Sequence, residues 1–236
     1  MTRISFTSNG YKLAGNLFVP DGKPKTLAFL FMQGWVGHQQ IQAAKAVTTL
    51  GFITMTYDMR GNGDSQGTIE HISRADFLED ATAAYDYLKA QTGGAAIGIV
   101  GMNFGGYIAV LLTQVRRVYC LSLCQPSGYP DDGYDKPQLP QHNAGFVEWR
   151  KRQLRYSQNY ALTSLHHFNG PIQIIEAGAD EQTPSQTPKN YAEAIRDTSR
   201  LTYEVMPNAP HNLSNDELQA DYAERMLRWV NRVYGL

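Results

Sequence analysis

Residues 99–107 place a polar side chain at a sharp turn between a strand and a helix. They read Ile-Val-Gly-Met-Asn-Phe-Gly-Gly-Tyr; the apolar run at 95–100 predicts a strand, and 107–115 predicts a helix. The glycines around Asn103 allow the backbone to turn tightly and to expose that side chain. A serine, cysteine or aspartate held in this way would be a nucleophile, whereas a carboxamide is a poor one. The segment is therefore typical of acyl-transfer chemistry, but it lacks the attacking atom.

A second segment, residues 57–67, reads Tyr-Asp-Met-Arg-Gly-Asn-Gly-Asp-Ser-Gln-Gly. Its glycines permit turns of positive φ, and Asp58 and Arg60 can hold the loop in place. The segment resembles the Asp-x-Arg-Gly-x-Gly-x-Ser loop of the α/β-hydrolase superfamily, especially in dienelactone-hydrolase-like and X-Pro-dipeptidyl-peptidase-like esterases. The turn at 101–106 likewise resembles the nucleophile elbow of that superfamily, with Asn103 at the nucleophile position. The loop at 57–67 lacks the ending of a phosphate-binding loop, so we interpret it as scaffolding.

This resemblance implies an acid and a histidine, in the chain order nucleophile, acid, histidine. Asp180 follows a strand predicted at 171–177, and Glu181 stays an alternative because the assignment depends on one residue of register. His211 follows the last predicted strand. The other histidines lie in other loops or in the segment 126–169: His38, His71, His142, His166 and His167. A single Asp or His in a loop is commonly just solvated, but the order of the three residues favours a triad-like catalytic site.

The resemblance also implies an oxyanion hole made by two backbone N–H groups. One belongs to Phe104, and the other to the loop after a strand predicted at 26–32. In that loop Gly34 lets the backbone approach a substrate, and the N–H of Trp35 is the expected donor. Gln33 stands where many members of the superfamily have histidine.

Residues 126–169 follow the strand after the elbow, where this superfamily inserts lids, so we expect a small helical cap there. We assign four residues to the substrate pocket: Gln33, Tyr107, Tyr129 and Trp149. Aromatic residues at helical spacing are also typical of core packing. The basic residues between 150 and 155 could attract an acidic substrate, but they are equally typical of a solvated helix face.

The elements that position these residues alternate between strands and helices. Strands are predicted at 26–32, 52–57, 95–100, 117–123, 171–177 and 202–206, after a β-hairpin at 4–19, and helices at 41–50, 74–91, 107–115, 187–197 and 218–234. Such alternation predicts an α/β fold: a mostly parallel sheet, covered by helices on both faces, with the hairpin at its start. The chain shows no internal repeat or linker, so we interpret 1–236 as a single α/β-hydrolase domain with a cap at 126–169.

Composition excludes several function classes. The net charge is −1 with no long charged run, so neither nucleic acid nor an anionic membrane is a favoured partner. No apolar stretch approaches the roughly 20 residues of a membrane span. Cys120 and Cys124 would lie ~13 Å apart on one strand, too far for a disulfide. Free thiols and the lack of an export signal favour a cytoplasmic location. No residues show metal-ligand spacing, and we expect no cofactor, a small-molecule substrate and an oligomeric state that the sequence does not reveal.

Asn103 leaves three interpretations open. In the first interpretation, the chain is a serine-to-asparagine variant of a hydrolase of small esters, thioesters or amides, in which Asp180 and His211 remain and a bound substrate is trapped. Asparagine suits the elbow because it tolerates positive φ. Alternatively, Asn103 is native and His211 is the base of a non-hydrolytic lyase, isomerase, cyclase or cofactor-free oxygenase reaction, or the asparagine deamidates to aspartate. The third interpretation is a non-catalytic ligand-binding protein.

Overall fold

The computed structural model describes residues 1–35, 37, 39–141, 144–213 and 215–235; His38 and His142 lie outside the described residues. Within these ranges eight strands form one sheet. They are β1 (Thr2–Ser8), β2 (Tyr11–Phe18), β3 (Leu27–Met32), β4 (Ile53–Tyr57), β5 (Ala96–Met102), β6 (Val118–Cys124), β7 (Ile172–Ala177) and β8 (Leu201–Met206).

The α-helices of the described ranges are α1 (Ile41–Thr49), α2 (Arg74–Gln91), α3 (Phe104–Leu112), α4 (Gln138–Gln141), α5 (Ala144–Arg150), α6 (Tyr160–His167), α7 (Gln186–Ala194) and α8 (Asp216–Tyr234). Helix α3 begins three residues before its predicted start at 107. Gly105 and Gly106 disfavour a helix by propensity, but both are buried in the packed first turn of α3.

The strand order is β1-β2-β4-β3-β5-β6-β7-β8, and β3 to β8 are parallel to one another. In the hairpin, β1 and β2 are antiparallel to each other, and β2 is antiparallel to β4. The hairpin turns at Asn9 and Gly10, whose φ angles of 44° and 83° are those of a two-residue turn with positive φ at both positions. The predicted fold, a mostly parallel sheet with an N-terminal hairpin, is confirmed.

Strand β3 shows why the sheet is apolar on both faces. Ala28, Leu30 and Met32 pack into a core with α2 and α3, whereas Phe29 and Phe31 pack into a second core with α1 and α8. Side chains alternate across a strand, so a strand that is covered on both sides must be apolar at every position. The predicted helices on both faces are confirmed.

The loop after β4 is tied to α2. The Arg60 guanidinium pairs with Asp80 at 2.7 Å and with Asp76 at 2.9 Å, and it is almost fully buried. Asp58 acts within the loop itself, where its carboxylate accepts the Asp64 N–H at 3.2 Å. These contacts are scaffolding, as interpreted from the sequence.

Segment 126–169 contains α4, α5 and α6. Helix α6 packs against α3 and α7, so it belongs to the helix layer of the sheet. The N–H of Gln138, at the start of α4, donates to the Ile72 carbonyl at 2.8 Å and joins this segment to the start of α2. That the segment acts as a cap stays a prediction.

Cys120 and Cys124 are free and buried. Burial, together with the charge of Asp180, raises the pKa of the Cys124 thiol to about 12. In the part of the chain that the structure describes, no helix is both long and apolar enough to cross a bilayer.

Candidate active site

The turn between β5 and α3 holds Asn103 at the carboxyl edge of the sheet. Its φ is 50° and its ψ is −114°, a conformation that costs free energy for most residues. A Cβ on Gly101 would lie 2.7 Å from the Gly105 carbonyl oxygen, and one on Gly105 would lie 2.4 Å from the carbonyl oxygens of Met32 and Gln33. Both positions therefore require glycine, and their small size brings the end of β3 against the first turn of α3.

Both ends of the Asn103 carboxamide are hydrogen-bonded. Its Oδ1 accepts the Phe104 N–H at 2.8 Å, and its Nδ2 lies 3.0 Å from His211 Nε2 and 3.4 Å from Thr183 Oγ1. Because an amide NH₂ group only donates, Nε2 of His211 is the acceptor and the ring proton is on Nδ1. The site is therefore in the tautomer that a triad histidine needs.

Asp180 holds that tautomer. Its Oδ2 lies 2.7 Å from His211 Nδ1, with the Asp180 side chain fully buried and that of His211 22% exposed. The other oxygen accepts the N–H groups of Gln182 at 2.7 Å and Thr183 at 2.8 Å. Three donors thus satisfy a buried carboxylate. Glu181, the alternative acid, is exposed.

The loops that carry Asp180 and His211 follow β7 and β8 and are joined to each other. The N–H of Gly178 donates to the Met206 carbonyl at 2.8 Å, and the N–H of Ala179 to the Ala209 carbonyl at 3.0 Å. The carboxyl ends of parallel strands share one edge of a sheet, so residues far apart in the sequence converge there.

Gln125 is a buried residue of this region that the sequence analysis missed. It follows β6 with a φ of 47°, its Nε2 donates to the Thr183 carbonyl at 2.8 Å, and its Oε1 accepts the Ala177 N–H at 2.6 Å. Gln125 therefore ties the Asp180 loop to the sheet. A lone glutamine after a strand gives no signal in the sequence. Thr183 was also missed, although it follows Asp180 at the spacing of a turn in which Asp accepts backbone N–H groups.

The backbone after β3 lies against the Asn103 side chain. A Cβ on Gly34 would lie 3.3 Å from Asn103 Cβ and 3.9 Å from its Oδ1. The indole of Trp35 packs edge-on against Phe104, with ring centroids 5.2 Å apart, and the N–H of Trp35 stays the predicted second oxyanion donor. The Gln33 side chain is 1% exposed, and its amide atoms have no hydrogen-bond partner within the described ranges.

Open space adjoins Asn103 and His211 on the side of α1 and α8. The cavity has a volume of about 830 Å³. Besides those two residues it is lined by Gly34, Trp35, Gly37, Gln39, Gln40, Ile41, Gln42, Ala43, Met102, Asn212, Leu213, Asp216, Gln219, Ala220, Tyr222 and Ala223.

The four residues assigned to the substrate pocket from the sequence are not among those that line this cavity: Gln33, Tyr107, Tyr129 and Trp149. Tyr107 and Tyr129 are 1% and 0% exposed, and their rings pack edge-on with centroids 5.0 Å apart. Trp149 packs beside Gly128, where an added Cβ would lie 3.0 Å from the indole. Tyr107 and Tyr129 therefore belong to the core between α3 and segment 126–169, whereas the cavity lies on the side of α1 and α8.

The basic residues considered for an acidic substrate include Arg150, which is buried. Its guanidinium donates to the carbonyl oxygens of Gly128 at 3.0 Å and Gln182 at 3.1 Å. Arg150 therefore joins α5 to the loop of Asp180. Among the residues that the structure describes, no group of three or more His, Cys, Asp or Glu side chains could hold a metal ion.

Comparison with known protein families identifies the family of this chain. Residues 38–236 match the model of the prolyl oligopeptidase family. The chain belongs to the prolyl oligopeptidase family. The expected membership of the α/β-hydrolase superfamily is thereby confirmed, and this prolyl oligopeptidase family member is serine-hydrolase-like by family.

Curated relatives match only part of this family member. Lysophosphatidylserine lipase ABHD12 of Rattus norvegicus is 34% identical over 95 residues, which are 40% of this chain and 21% of the lipase. An uncharacterized 31.7 kDa protein of Escherichia coli, from the traX-finO intergenic region, is 29% identical over 109 residues, 44% of this chain and 38% of that protein. The chain thus spans about a fifth to two fifths of the length of these relatives.

Solved structures match nearly the whole chain. Est1E from Butyrivibrio proteoclasticus, solved with ferulic acid bound, has a TM-score of 0.73 at 18% identity and covers 96% of this chain and 99% of its own. An alpha-beta serine hydrolase homologue from Coxiella burnetii has a TM-score of 0.71 at 20% identity, covering 96% of both chains. At such identities the likeness shows the fold alone.

Proposed function

We propose that this prolyl oligopeptidase family member carries an acyl-transfer site for a small ester, thioester or amide, in which Asn103 takes the place of the attacking serine. One observation supports this most directly. His211 Nε2 lies 3.0 Å from the side chain at position 103, while its Nδ1 lies 2.7 Å from Asp180. We call this hydrogen-bonded chain from Asp180 through His211 to position 103 the relay. An asparagine needs no relay, whereas the hydroxyl of a nucleophile does.

The roles follow from these contacts. With a serine at position 103, His211 Nε2 takes the hydroxyl proton and Asp180 stabilises the imidazolium that forms. The Phe104 N–H, together with the expected Trp35 N–H, stabilises the oxyanion of the tetrahedral intermediate. With Asn103 in place, the amide satisfies Nε2 and the Phe104 N–H, and an external acyl group meets no nucleophile there.

The cavity supports a small, uncharged substrate. Its volume of about 830 Å³ lies within the roughly 300–1,000 Å³ of small-molecule sites. Amide side chains such as Gln39 and Gln40 lie beside apolar ones such as Ile41 and Met102, and no lysine or arginine is among the described lining residues. Hydrogen-bonding groups without a cation fit a neutral ester, thioester or amide better than an anion.

The Asn103→Ser variant tests the proposal. We expect it to hydrolyse short p-nitrophenyl esters at least about 100-fold faster than the double variant Asn103→Ser, His211→Ala, because general-base catalysis contributes roughly 10²–10⁴-fold. The double variant is the matched control, and circular dichroism checks that both are folded. A folded Asn103→Ser protein that is no faster than the double variant contradicts the proposal.

The hydrogen bonds of Asn103 also favour a second candidate. Because the amide already satisfies both Phe104 N–H and His211 Nε2, the encoded site is complete without a serine. His211 is then the general base of a non-hydrolytic reaction, or the site binds a ligand without turnover. An Asn103→Ser variant without esterase activity, together with loss of turnover in His211→Ala, favours the role of His211 as a general base. Tight binding of a ligand without any product favours a ligand-binding protein.

A further inference from the structure

Asn103 lies in the site as an amide substrate would. Its carbonyl oxygen accepts the Phe104 N–H at 2.8 Å, the position of an oxyanion donor. Its nitrogen lies 3.0 Å from His211 Nε2, the atom that protonates a leaving amine in triad hydrolases. The carbonyl oxygen and the nitrogen of the Asn103 side chain therefore lie where those of a scissile amide substrate would lie.

Open space adjoins this amide, although Asn103 itself is only 8% exposed. Asn103 and His211 both line the cavity of about 830 Å³, and the His211 side chain is 22% exposed. The carboxylate of Asp180 holds the imidazole in the tautomer that accepts a proton at Nε2. The open space of the cavity therefore adjoins both the base and the amide.

We propose that the site hydrolyses the side chain of Asn103 to an aspartate. This inference rests on the proposed function, because the same relay carries out the reaction. The Asn103 Nδ2–His211 Nε2 contact first opens, and Nε2 then takes a proton from a water molecule. The water oxygen bonds to Cγ, and the Phe104 N–H stabilises the oxyanion. The Cγ–N bond then breaks, His211 returns the proton to the nitrogen, and ammonia leaves. One water is consumed and no electron donor or acceptor is needed.

The common spontaneous route to the same product is disfavoured here. That route requires the backbone nitrogen of the next residue to attack Cγ, and it yields a mixture of aspartate and isoaspartate. The nitrogen of Phe104 begins α3, and its N–H is bound to Oδ1. Asn9 offers the contrast within the same chain, since it is exposed, has a φ of 44° and precedes Gly10. The relay therefore predicts aspartate alone at position 103, whereas Asn9 gives the mixture.

The product supplies what the encoded residue lacks. A carboxylate at position 103 keeps one oxygen at the Phe104 N–H and presents the other to His211. Enzymes use aspartate and glutamate carboxylates as nucleophiles. Self-hydrolysis thus changes the elbow from a site without an attacking atom to one that has it.

Peptide mass spectrometry of the full chain, incubated at neutral pH in ordinary and ¹⁸O-labelled water, tests this inference. We expect the peptide with position 103 to gain about 1 Da in ordinary water and about 3 Da in labelled water, as amide-to-acid exchange requires. The rate should fall at least about 100-fold in His211→Ala and in Asp180→Asn. His71→Ala, which removes an exposed histidine, is the matched control and should leave the rate unchanged.

The inference is overturned by an unchanged mass at position 103 while Asn9 deamidates, or by a rate that is the same in the His211 and Asp180 variants as in the parent. Isoaspartate at position 103 also overturns it, since the backbone route would then operate. The esterase assay of Asn103→Ser is independent. If that variant is active while Asn103 stays intact, only self-hydrolysis fails; if Asn103 is converted while the variant is inactive, only the substrate class fails.

Discussion

Asn103 differs from a serine in carrying both an acceptor and a donor on one planar group. The acceptor bonds the Phe104 N–H, and the donor bonds His211 Nε2. Asparagine also tolerates the φ of 50° that the elbow imposes. The asparagine therefore leaves the hydrogen-bond network around position 103 satisfied.

Gln125 carries a prediction at the same scale. Replacing it with alanine leaves the Thr183 carbonyl and the Ala177 N–H buried without partners, which costs about 1–3 kcal/mol each. We expect Gln125→Ala to lower the free energy of unfolding by at least about 1 kcal/mol, measured by urea denaturation. Gln91→Ala, which removes an exposed glutamine at the end of α2, is the control. Equal stability of the two variants would show that Gln125 does not hold the Asp180 loop.

Among the elements, α2 begins with a reciprocal cap. The Ser73 side chain accepts the Asp76 N–H, and the Asp76 carboxylate accepts the Ser73 N–H at 2.9 Å. Arg60 adds an ion pair to the same carboxylate at 2.9 Å. Partial burial raises the pKa of Asp76, but the hydrogen bonds from Ser73 and the charge of Arg60 outweigh it and hold that pKa below its ordinary value.

The lowered pKa of Asp76 predicts an acid-dependent stability. A carboxyl group whose pKa is lower in the folded state stabilises the fold above its unfolded pKa of about 3.9 and loses that contribution as the pH falls through the folded value. We expect Asp76→Asn to lower the free energy of unfolding by about 1 kcal/mol at pH 7, and the difference from the parent to shrink below about pH 4. Urea denaturation across pH measures it.

Asp21→Asn is the control for that experiment, because Asp21 is an exposed carboxylate in the loop before β3. It should differ little from the parent at any pH. A stability difference for Asp76→Asn that stays constant into acid would mean that the charge of Asp76 does not contribute to the cap.

The whole molecule depends on α8 to close the second face of the sheet. Trp229 is 2% exposed in the core with α1. Tyr222, two turns of α8 nearer the site, lines the cavity and donates its hydroxyl to Gln40 Oε1 at 3.0 Å. The same helix therefore buries a core and forms a wall of the site. Stability and cavity shape are coupled through it.

We expect Trp229→Ala to lower the free energy of unfolding by about 3–5 kcal/mol, the usual cost of truncating a large buried aromatic residue. Urea denaturation followed by circular dichroism measures it. Tyr160→Ala, at a position that is 62% exposed, should stay within about 0.5 kcal/mol of the parent. A loss for Trp229→Ala no larger than for Tyr160→Ala would show that α8 is not part of the cooperative core.

The periodicities along the chain determined the sheet, its hairpin and its two helical layers, because a strand covered on both faces must be apolar throughout. The motif at 101–106 predicted the turn between β5 and α3, and the order of Asp180 and His211 predicted that both residues lie beside it. These features depend on local spacing and on the rule that parallel strands end at one edge, so the sequence contains them.

Only the tertiary structure decided that Tyr107 and Tyr129 lie in a packed core. The aromatic spacing of 126–169 is the same for a pocket wall and for a packed core, and the edge-on contacts of Tyr107 and Tyr129 make it a core. The role of Gln125 likewise depends on two distant backbone groups that meet after folding. The orientation of the Asn103 amide, with its oxygen at Phe104 and its nitrogen at His211, was also decided there, because a hydrogen bond depends on positions in space that spacing along a chain does not specify.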